Sequence, residues 1–464
     1  MHYTVNNLSE MKIKILLIIA ILSVSVSFSQ KKWTLKECVN HALENNISVK
    51  QNILILELAE LNVKNAKGNF LPNLNGSASQ GFNFGSFLGI DGSRISRDSR
   101  RNSLSANSST TLFNGFRNLN TYKQAQLGVE RSKLTLEKIQ NDISLFVVNG
   151  YLNVLFAKEN LDVARIQAEI SKKQVQAAKQ RYEAGITAKG DLLNTQSTAA
   201  NDQQNIVTQE NILTLALLNL SQLLQIPSDG FDIFKIDIDS PSATLTYNNS
   251  EIVYQKALRS QPQIKNAELG IQDADFNIEI AESFLRPTLN FSFGANTSYQ
   301  HLQGKKDEIT IFDPITMEQE VISNGFFKQF SDNLGYNFSF NLSIPIFNRT
   351  QSKTNIDRQY INKEISQVNL TNEKLQLQQT IEQAFVDSKA AAKAYEASKI
   401  SLDAQKEAFK NAQERYNYGA MTLFDFDQVR TRLVNAQGTL IRSKYDYVFK
   451  TKVLQFYSGE LVLE

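Results

Sequence analysis

One segment, Asn333–Ile346, limits the possible folds of this chain more than any other. Leu, Tyr, Phe and Ile occupy every second position, and Asn, Gly, Ser and Pro alternate with them. Because successive side chains of a β-strand point to opposite faces, this period of two predicts a strand with one apolar face and one polar face. Neither face carries a charge. A strand that separates lipid from a hydrated lumen needs this combination over about ten residues.

The chain also contains an internal duplication. Ala42-Leu43 recurs as Ala257-Leu258, and the motif Arg-Tyr-x-x-Gly occurs at 181–185 and again at 415–419. The distance between the copies is larger for the second pair of matches than for the first. The second copy therefore carries an insertion, which falls between its two strands. A duplicated structural unit explains this arrangement.

Three other stretches show the same uncharged alternation. We predict strands over 73–84, 103–113, 288–299 and 333–346, with long external loops over 86–102 and 300–332. Hairpins of a soluble domain are the alternative for strands as short as these. We favour membrane strands because uncharged strands lie at matching places in the two copies.

Proline placement allows long helices, because none occurs between the strands of each copy and the end of that copy. The first predicted repeat, 34–227, contains a short helix, a second helix, two strands, and helices over 117–184 and 188–225. The second repeat, 251–458, contains helices over 251–283, two strands, and helices over 351–418 and 422–457. Residues 228–250 form an expected equatorial linker between the repeats, and residues 459–464 form the C-terminal end.

Residues 1–30 have the pattern of a secretory signal peptide. A basic segment that begins at Met11, the expected initiator, precedes an apolar run and then small residues, with cleavage expected near Gln30. After this signal no run of eighteen apolar residues follows. The sequence therefore predicts export and argues against helical membrane spans.

Composition excludes several classes of function. The net charge of +2 gives no reason to expect nucleic acid as a partner. One cysteine, Cys38, cannot form an internal disulfide, and the three histidines lie far apart in the sequence. No Gly-rich phosphate loop or nucleophile elbow is present. We therefore expect no enzyme activity, no metal site and no cofactor.

Strand number and helix length constrain the assembly. Four strands cannot close a membrane barrel, whose minimum is about eight, so several chains must combine, and three chains give twelve strands. The helix over 117–184 is about 100 Å long, and the two other main helices of the first repeat together reach about 92 Å. These matching lengths fit a cylinder of helices that continues from the barrel.

At this point the chain resembles the TolC-type outer membrane efflux proteins. The duplicated order of elements, the two Arg-Tyr-x-x-Gly turns and the segment Ile344-Pro345-Ile346-Phe347-Asn348 after the fourth strand carry the resemblance. It implies a mainly α-helical fold with a membrane β part: a homotrimer with a 12-stranded β-barrel in outer-membrane lipid and a periplasmic α-helical barrel. The implied function is the exit duct of a tripartite efflux or type I secretion system. Its implied partners are a periplasmic adaptor and an inner-membrane RND or ABC transporter.

The resemblance also implies a gate at the periplasmic end. Asp425 falls on the family's ring aspartate, Asp191 on the acidic partner in the first copy, and Tyr416 on the gate tyrosine. The structural alternative for Asp425 is helix capping, because Thr422-x-x-Asp425 has the spacing of a capping box.

This sequence departs from the family pattern at two gate positions. The family's gate arginine falls on Met421, and its second ring aspartate falls on Gln428, beside Asp427. These departures count against closure of the gate by an arginine salt bridge, whereas a hydrogen bond between Tyr416 and Asp191 could remain.

The two turns have roles of their own. Arg181 and Arg415 are candidates for adaptor contact, or they complement the negative ends of helix dipoles. Gly185 and Gly419 are expected to end the long helices in a left-handed conformation. A periplasmic coiled-coil adaptor is the alternative function, but it leaves the four uncharged strands unexplained.

Overall fold

The computed structural model describes residues 32–88, 92–96, 98–235, 247–312, 314–315 and 317–460. The predicted signal peptide, part of the predicted linker and the last four residues lie outside the described residues.

Helices make up most of the described chain, and they follow the predicted order. They are α1 (Leu35–Asn45), α2 (Ile47–Gly68), α3 (Arg117–Glu183), α4 (Lys189–Leu224), α5 (Ser250–Ser260), α6 (Pro262–Ser283), α7 (Phe326–Asp332), α8 (Gln351–Asn417) and α9 (Leu423–Ser458). The range 251–283 is divided because Gln261 precedes Pro262 and has extended backbone, with ψ of 125°, as expected for a residue before proline. No helix in the described part of the chain combines the length and hydropathy that a bilayer span requires.

The strands include all four that the sequence predicts. The strands of the described residues are β1 (Lys32–Trp33), β2 (Asn75–Asn83), β3 (Ser86–Leu88), β4 (Arg94–Ser96), β5 (Ser99–Asn114), β6 (Asp232–Ile233), β7 (Thr288–Leu302), β8 (Glu308–Phe312), β9 (Gln319–Ser323) and β10 (Gly335–Ser343). The four predicted strands correspond to β2, β5, β7 and β10.

The two predicted loops contain more regular structure than expected. Range 86–102 includes the hairpin of β3 and β4 and the start of β5, and range 300–332 includes the hairpin of β8 and β9 followed by α7. These ranges are therefore not irregular throughout, and side-chain contacts hold the start of the second one. The Asp307 carboxylate accepts hydrogen bonds from the Tyr299 hydroxyl at 2.7 Å and binds the His301 ring nitrogen at 2.7 Å.

Helix α7 covers part of one sheet edge. Its Gln329 side chain accepts a hydrogen bond from the Gln300 backbone N–H at 2.9 Å and donates to the Gln300 carbonyl at 3.1 Å. Asn333, just after the helix, donates to the Ser298 carbonyl at 2.7 Å. These bonds satisfy backbone groups of β7 beyond the point where β10 ends.

The main sheet has the order β10–β7–β5–β2, with every neighbouring pair antiparallel. Phe338 lies opposite Phe293 on one face, whereas Ser339 lies opposite Ser292 on the other. The predicted separation of aromatic and polar faces is therefore present. The outermost strands, β2 and β10, are each paired on one side only within the described chain.

The chain divides into two compact units, and each contains parts of both predicted repeats. The first comprises the described parts of residues 1–52, 136–262 and 374–464. The second comprises residues 53–135 and 263–373, including the main sheet.

The core of the first unit lies around the middle of α3. Val147, Tyr151 and Leu155 are buried there with Leu220 and Leu224 of α4.

A two-stranded parallel ribbon of β1 and β6 lies on this core, with Trp33 opposite Ile233. The Tyr151 hydroxyl donates to the Phe234 carbonyl at 2.8 Å, and the Lys158 ammonium donates to the Ile233 carbonyl at 2.8 Å. Helix α3 thus fixes the ribbon, which joins the start of the described chain to the segment between the repeats.

Candidate functional site

The two long helices α3 and α8 end in the same way. After each helix a glycine, Gly185 or Gly419, has φ of +72°. The N–H of the following residue bonds to the carbonyl of Arg181 or Arg415 at 2.8 Å in each case. These contacts are a Schellman-type C-cap, and the positive φ explains the glycines. The predicted capping role of both glycines is confirmed.

Helix α9 begins with a reciprocal contact between Thr422 and Asp425. The Asp425 N–H donates to the Thr422 hydroxyl oxygen at 3.1 Å, and that hydroxyl donates to the Asp425 carboxylate at 2.7 Å. Thr422 therefore caps α9, and the Asp425 carboxylate bonds to the capping hydroxyl; of the two bonds of the predicted capping box, only the one from the Asp425 N–H is present. A carboxylate in the first turn also interacts favourably with the helix dipole. Asp191 occupies the corresponding first turn of α4, after Ala188, which provides no side-chain cap.

Tyr416 is held by stacking. Its ring lies 4.9 Å from that of Phe426 at an interplanar angle of 16°, and the Arg181 guanidinium lies 5.2 Å from its centroid. Burial raises the pKa of Tyr416, an effect that nearby Arg181 opposes. Within the described residues no hydrogen bond joins Tyr416 to Asp191; the Tyr416 ring instead contacts Phe426 and Arg181.

Arg181 also joins the ends of the two long helices. Its Nη2 donates to the Asn417 carbonyl at 3.3 Å, so that a side chain of α3 satisfies a free carbonyl at the end of α8. Arg415, at the same position of the second turn, is exposed. The two arginines that the repeat makes equivalent therefore have different environments.

A buried ion pair lies further along α9. Arg430 is only 6% exposed, and its Nη1 donates to the Asp202 carboxylate at 3.0 Å and to the Ser171 hydroxyl oxygen at 2.5 Å. The Ser171 hydroxyl also donates to Asp202. Since these residues belong to α9, α4 and α3, the cluster joins one helix of the second predicted repeat to two helices of the first.

Asp427 approaches the same cluster. One of its carboxylate oxygens lies 3.7 Å from Nε of Arg430, which has no hydrogen-bond partner. Burial raises the pKa of Asp427, and the nearby Arg430 only partly offsets this effect. Of the predicted gate residues, Asp427 therefore faces the buried arginine, whereas Asp425 and Gln428 are exposed and Met421 is half-buried.

Sequence reasoning missed Arg430 and Asp202. A signal was present, because Arg430 interrupts the inward-facing spacing of Phe426, Leu433 and Ala436, which are all buried. A charge on a buried helical stripe requires a partner. The sequence does not show which residue is that partner, because Asp202 is distant from Arg430 in the sequence.

Next to these contacts lies a cavity of about 270 Å³. Its lining includes Ile170, Ala177, Thr195, Tyr416, Leu423 and Phe426. No group of three His, Cys, Asp or Glu side chains in the described ranges has an arrangement suited to a metal ion. The site offers stacking, ion pairing and helix capping.

Comparisons with known proteins agree with this architecture. The chain is 23% identical over 332 residues to the outer membrane protein TolC of Vibrio cholerae, covering 69% of this chain and 68% of that protein. It is 23% identical over 346 residues to TolC of Salmonella enteritidis, covering 74% and 65%. The chain thus spans about two thirds of the length of these relatives.

The fold is also that of solved channels. The crystal structure of the Campylobacter jejuni CmeC outer membrane channel superposes with a TM-score of 0.71 at 19% identity, covering 93% of this chain and 86% of that chain. A family profile described as outer membrane efflux protein matches residues 38–224 and 253–460. These two segments make up most of the chain. The chain therefore belongs to the outer membrane efflux protein family.

Proposed function

We propose that three copies of this chain close a twelve-stranded β-barrel in the outer membrane, and that their helices continue it as a tunnel in the periplasm. The observation that carries this proposal is the main sheet, with one face rich in apolar side chains, an opposite face rich in Ser and Asn, and two free edges. Free edges are not tolerated in hydrocarbon. Four strands are also fewer than the minimum of about eight for a membrane barrel.

The polar face suits the wall of a passive duct. Cross-strand hydroxyl pairs join Ser77 to Ser105 at 2.7 Å, Ser79 to Ser103 at 2.7 Å and Ser292 to Ser339 at 2.8 Å. Such a wall offers hydrogen bonds to water and to cargo, and it needs no chemistry of its own. An inner-membrane transporter of the RND or ABC class would supply the energy.

We assign the periplasmic gate to the ends of α3, α4, α8 and α9. Asp425 and Asp191 would provide acidic groups at the opening, with Gln428 and Met421 close by in the sequence. Because Met421 cannot form an ion pair, Arg430 would hold the gate through Asp202. Opening would move the start of α9 away from α3 and α4 and would break these buried contacts.

The turns at the helix ends suit contact with a periplasmic adaptor. Ile186 is 73% exposed next to Gly185, and Tyr418 is 89% exposed next to Gly419. Exposed apolar side chains that cluster on a surface often mark protein contacts. The exposed Arg415 lies beside this surface, whereas Arg181 is engaged within the chain.

Membrane extraction followed by conductance measurement tests the proposed function. We expect the protein to require detergent for extraction, to migrate as a trimer and to form conducting pores in planar bilayers. Extraction by carbonate alone, with no pores, would instead support the alternative of a periplasmic adaptor. The family membership of the chain favours the duct.

A further inference from the structure

We infer the register of the seam between neighbouring copies: β2 of one copy pairs with β10 of the next so that Ser79 lies opposite Ser339. This inference rests on the proposed barrel and adds to it the residues that meet. The lumen wall is incomplete without them, because each chain supplies only four strands.

Strand direction permits this pairing. Every neighbouring pair in the order β10–β7–β5–β2 is antiparallel, so β2 and β10 run in opposite directions. When β10 of one copy is placed beside β2 of another, the antiparallel alternation continues across the seam. Both strands contain nine residues.

The apolar faces of β2 and β10 must lie on the same side of the sheet, and this requirement excludes half of the possible registers. The internal pairings connect Tyr336 to Ala295, Ala295 to Ala106, and Ala106 to Gly76. Even-numbered residues of both edge strands therefore lie on the apolar face, and a shift by one residue would turn one strand over. Only registers that pair even with even residues keep lipid and lumen separate.

Among these registers, one uses both strands in full. It pairs Asn83 with Gly335 and Asn75 with Ser343, so that all nine residues of each strand are matched. A shift of two residues in either direction leaves two residues unpaired on each strand. Unpaired backbone groups cost several kcal/mol each where no water reaches them.

The same register repeats side-chain pairs found within the sheet. Ser79 would lie opposite Ser339. Within one chain the Ser79 hydroxyl already hydrogen-bonds to that of Ser103 at 2.7 Å, and the Ser339 hydroxyl to that of Ser292 at 2.8 Å. Gly81 would meet Asn337, which already lies opposite Gly294. At Gly294 an added Cβ would lie 2.7 Å from the Asn337 amide oxygen, so this asparagine fits best beside a glycine.

A pair of cysteines, one on each edge strand, can test this register, because a disulfide between β2 and β10 can join only different copies. Within one chain β2 and β10 are separated by three strand spacings, about 14 Å, which is too far for a disulfide. The one native cysteine, Cys38, is 0% exposed. The background is therefore free of competing thiols.

The test compares three double variants under mild oxidation in the outer membrane. Ser79→Cys/Ser339→Cys is expected to convert the monomer band into covalent trimers on a non-reducing gel. Two double variants, Ser77→Cys/Ser339→Cys and Gly81→Cys/Ser339→Cys, are the matched controls. Each would cross-link efficiently only if the register were shifted by two residues, the first variant in one direction and the second in the other. They should remain mainly monomeric, since diagonal neighbours are about 7–8 Å apart.

Conductance of each variant separates the possible failures. Stronger cross-linking of either shifted pair would replace the inferred register. Conducting pores with no cross-linking in any variant would show that β2 and β10 do not pair in these registers. The inferred register would then be wrong, but the proposed function as a duct would still hold. Absence of both pores and trimers, in the unmodified protein as well, would overturn the proposed function itself.

Discussion

The Arg430 guanidinium donates to the Asp202 carboxylate at 3.0 Å, from a position on α9 that is 6% exposed. The pair joins the second predicted repeat to the first, close to the predicted gate. Removing one partner of a buried ion pair is costly, because the other charge stays buried without compensation.

Arg430→Met should therefore destabilise the protein and open the gate. We expect a loss of about 1–3 kcal/mol, below the range for fully buried pairs, because Asp202 keeps its bond from Ser171 and is partly exposed. Thermal unfolding in detergent measures the stability, and single-channel recording measures the resting open probability. Arg432→Met, an exposed neighbour on the same helix, is the control. Equal unfolding temperatures and equal open probabilities for the two variants would show that the Arg430–Asp202 pair does not hold the gate closed.

The pKa of Asp427 predicts a dependence of stability on pH. Burial raises this pKa above its usual value, so the folded protein binds the proton more tightly than the unfolded chain. The resulting stabilisation is present at low pH and is lost as pH rises through the raised pKa. Asp427→Asn cannot ionise and should be more stable than the unmodified protein at neutral pH. Unfolding temperatures across a pH series check this, with the exposed Glu414→Gln as control; identical pH profiles for all three proteins would contradict it.

Two variants separate the contact of Asp425 with the helix cap Thr422 from its proposed role in the gate. Asp425→Ala should raise single-channel conductance or weaken block by multivalent cations, because it removes negative charge at the opening. Thr422→Ala removes the helix cap at a cost of about 1 kcal/mol, but it keeps the charge. If both variants change conductance equally, or neither does, Asp425 is a structural residue only.

Adjacent residues of β10 test the two faces of the sheet. Phe338→Lys places a charge on the apolar face and should cost about 2–4 kcal/mol near the bilayer midplane, which lowers the yield of assembled protein. Asn337→Lys places the same charge on the polar face and should assemble normally while shifting ion selectivity towards anions. The opposite outcome would mean that the faces are assigned the wrong way round. Heat-resistant trimers and reversal potentials are the measurements.

The strands and long helices were predictable because each follows a simple period. Gly335–Ser343 alternates without a charge, and Arg117–Glu183 contains no proline. The family and the outer-membrane location followed from the order of these elements, and the comparisons confirm both. The division into two repeats stays a prediction.

The rest depended on contacts between distant residues. Helix α7 lies where the sequence predicted a loop, because Gln329 pairs with the backbone of Gln300. Arg430 finds Asp202 more than two hundred positions away. Tyr416 contacts Arg181 and Phe426 instead of Asp191. Local periodicity carries no information about such partners.

The ribbon of β1 and β6 has a consequence for export. Lys32 and Trp33 follow directly after the predicted signal peptide, yet their partners Asp232 and Ile233 lie two hundred residues later in the sequence. Tyr151 and Lys158, which hold the ribbon, arrive between them. When export begins at the predicted signal peptide, the ribbon can therefore form only after about half of the chain has been secreted.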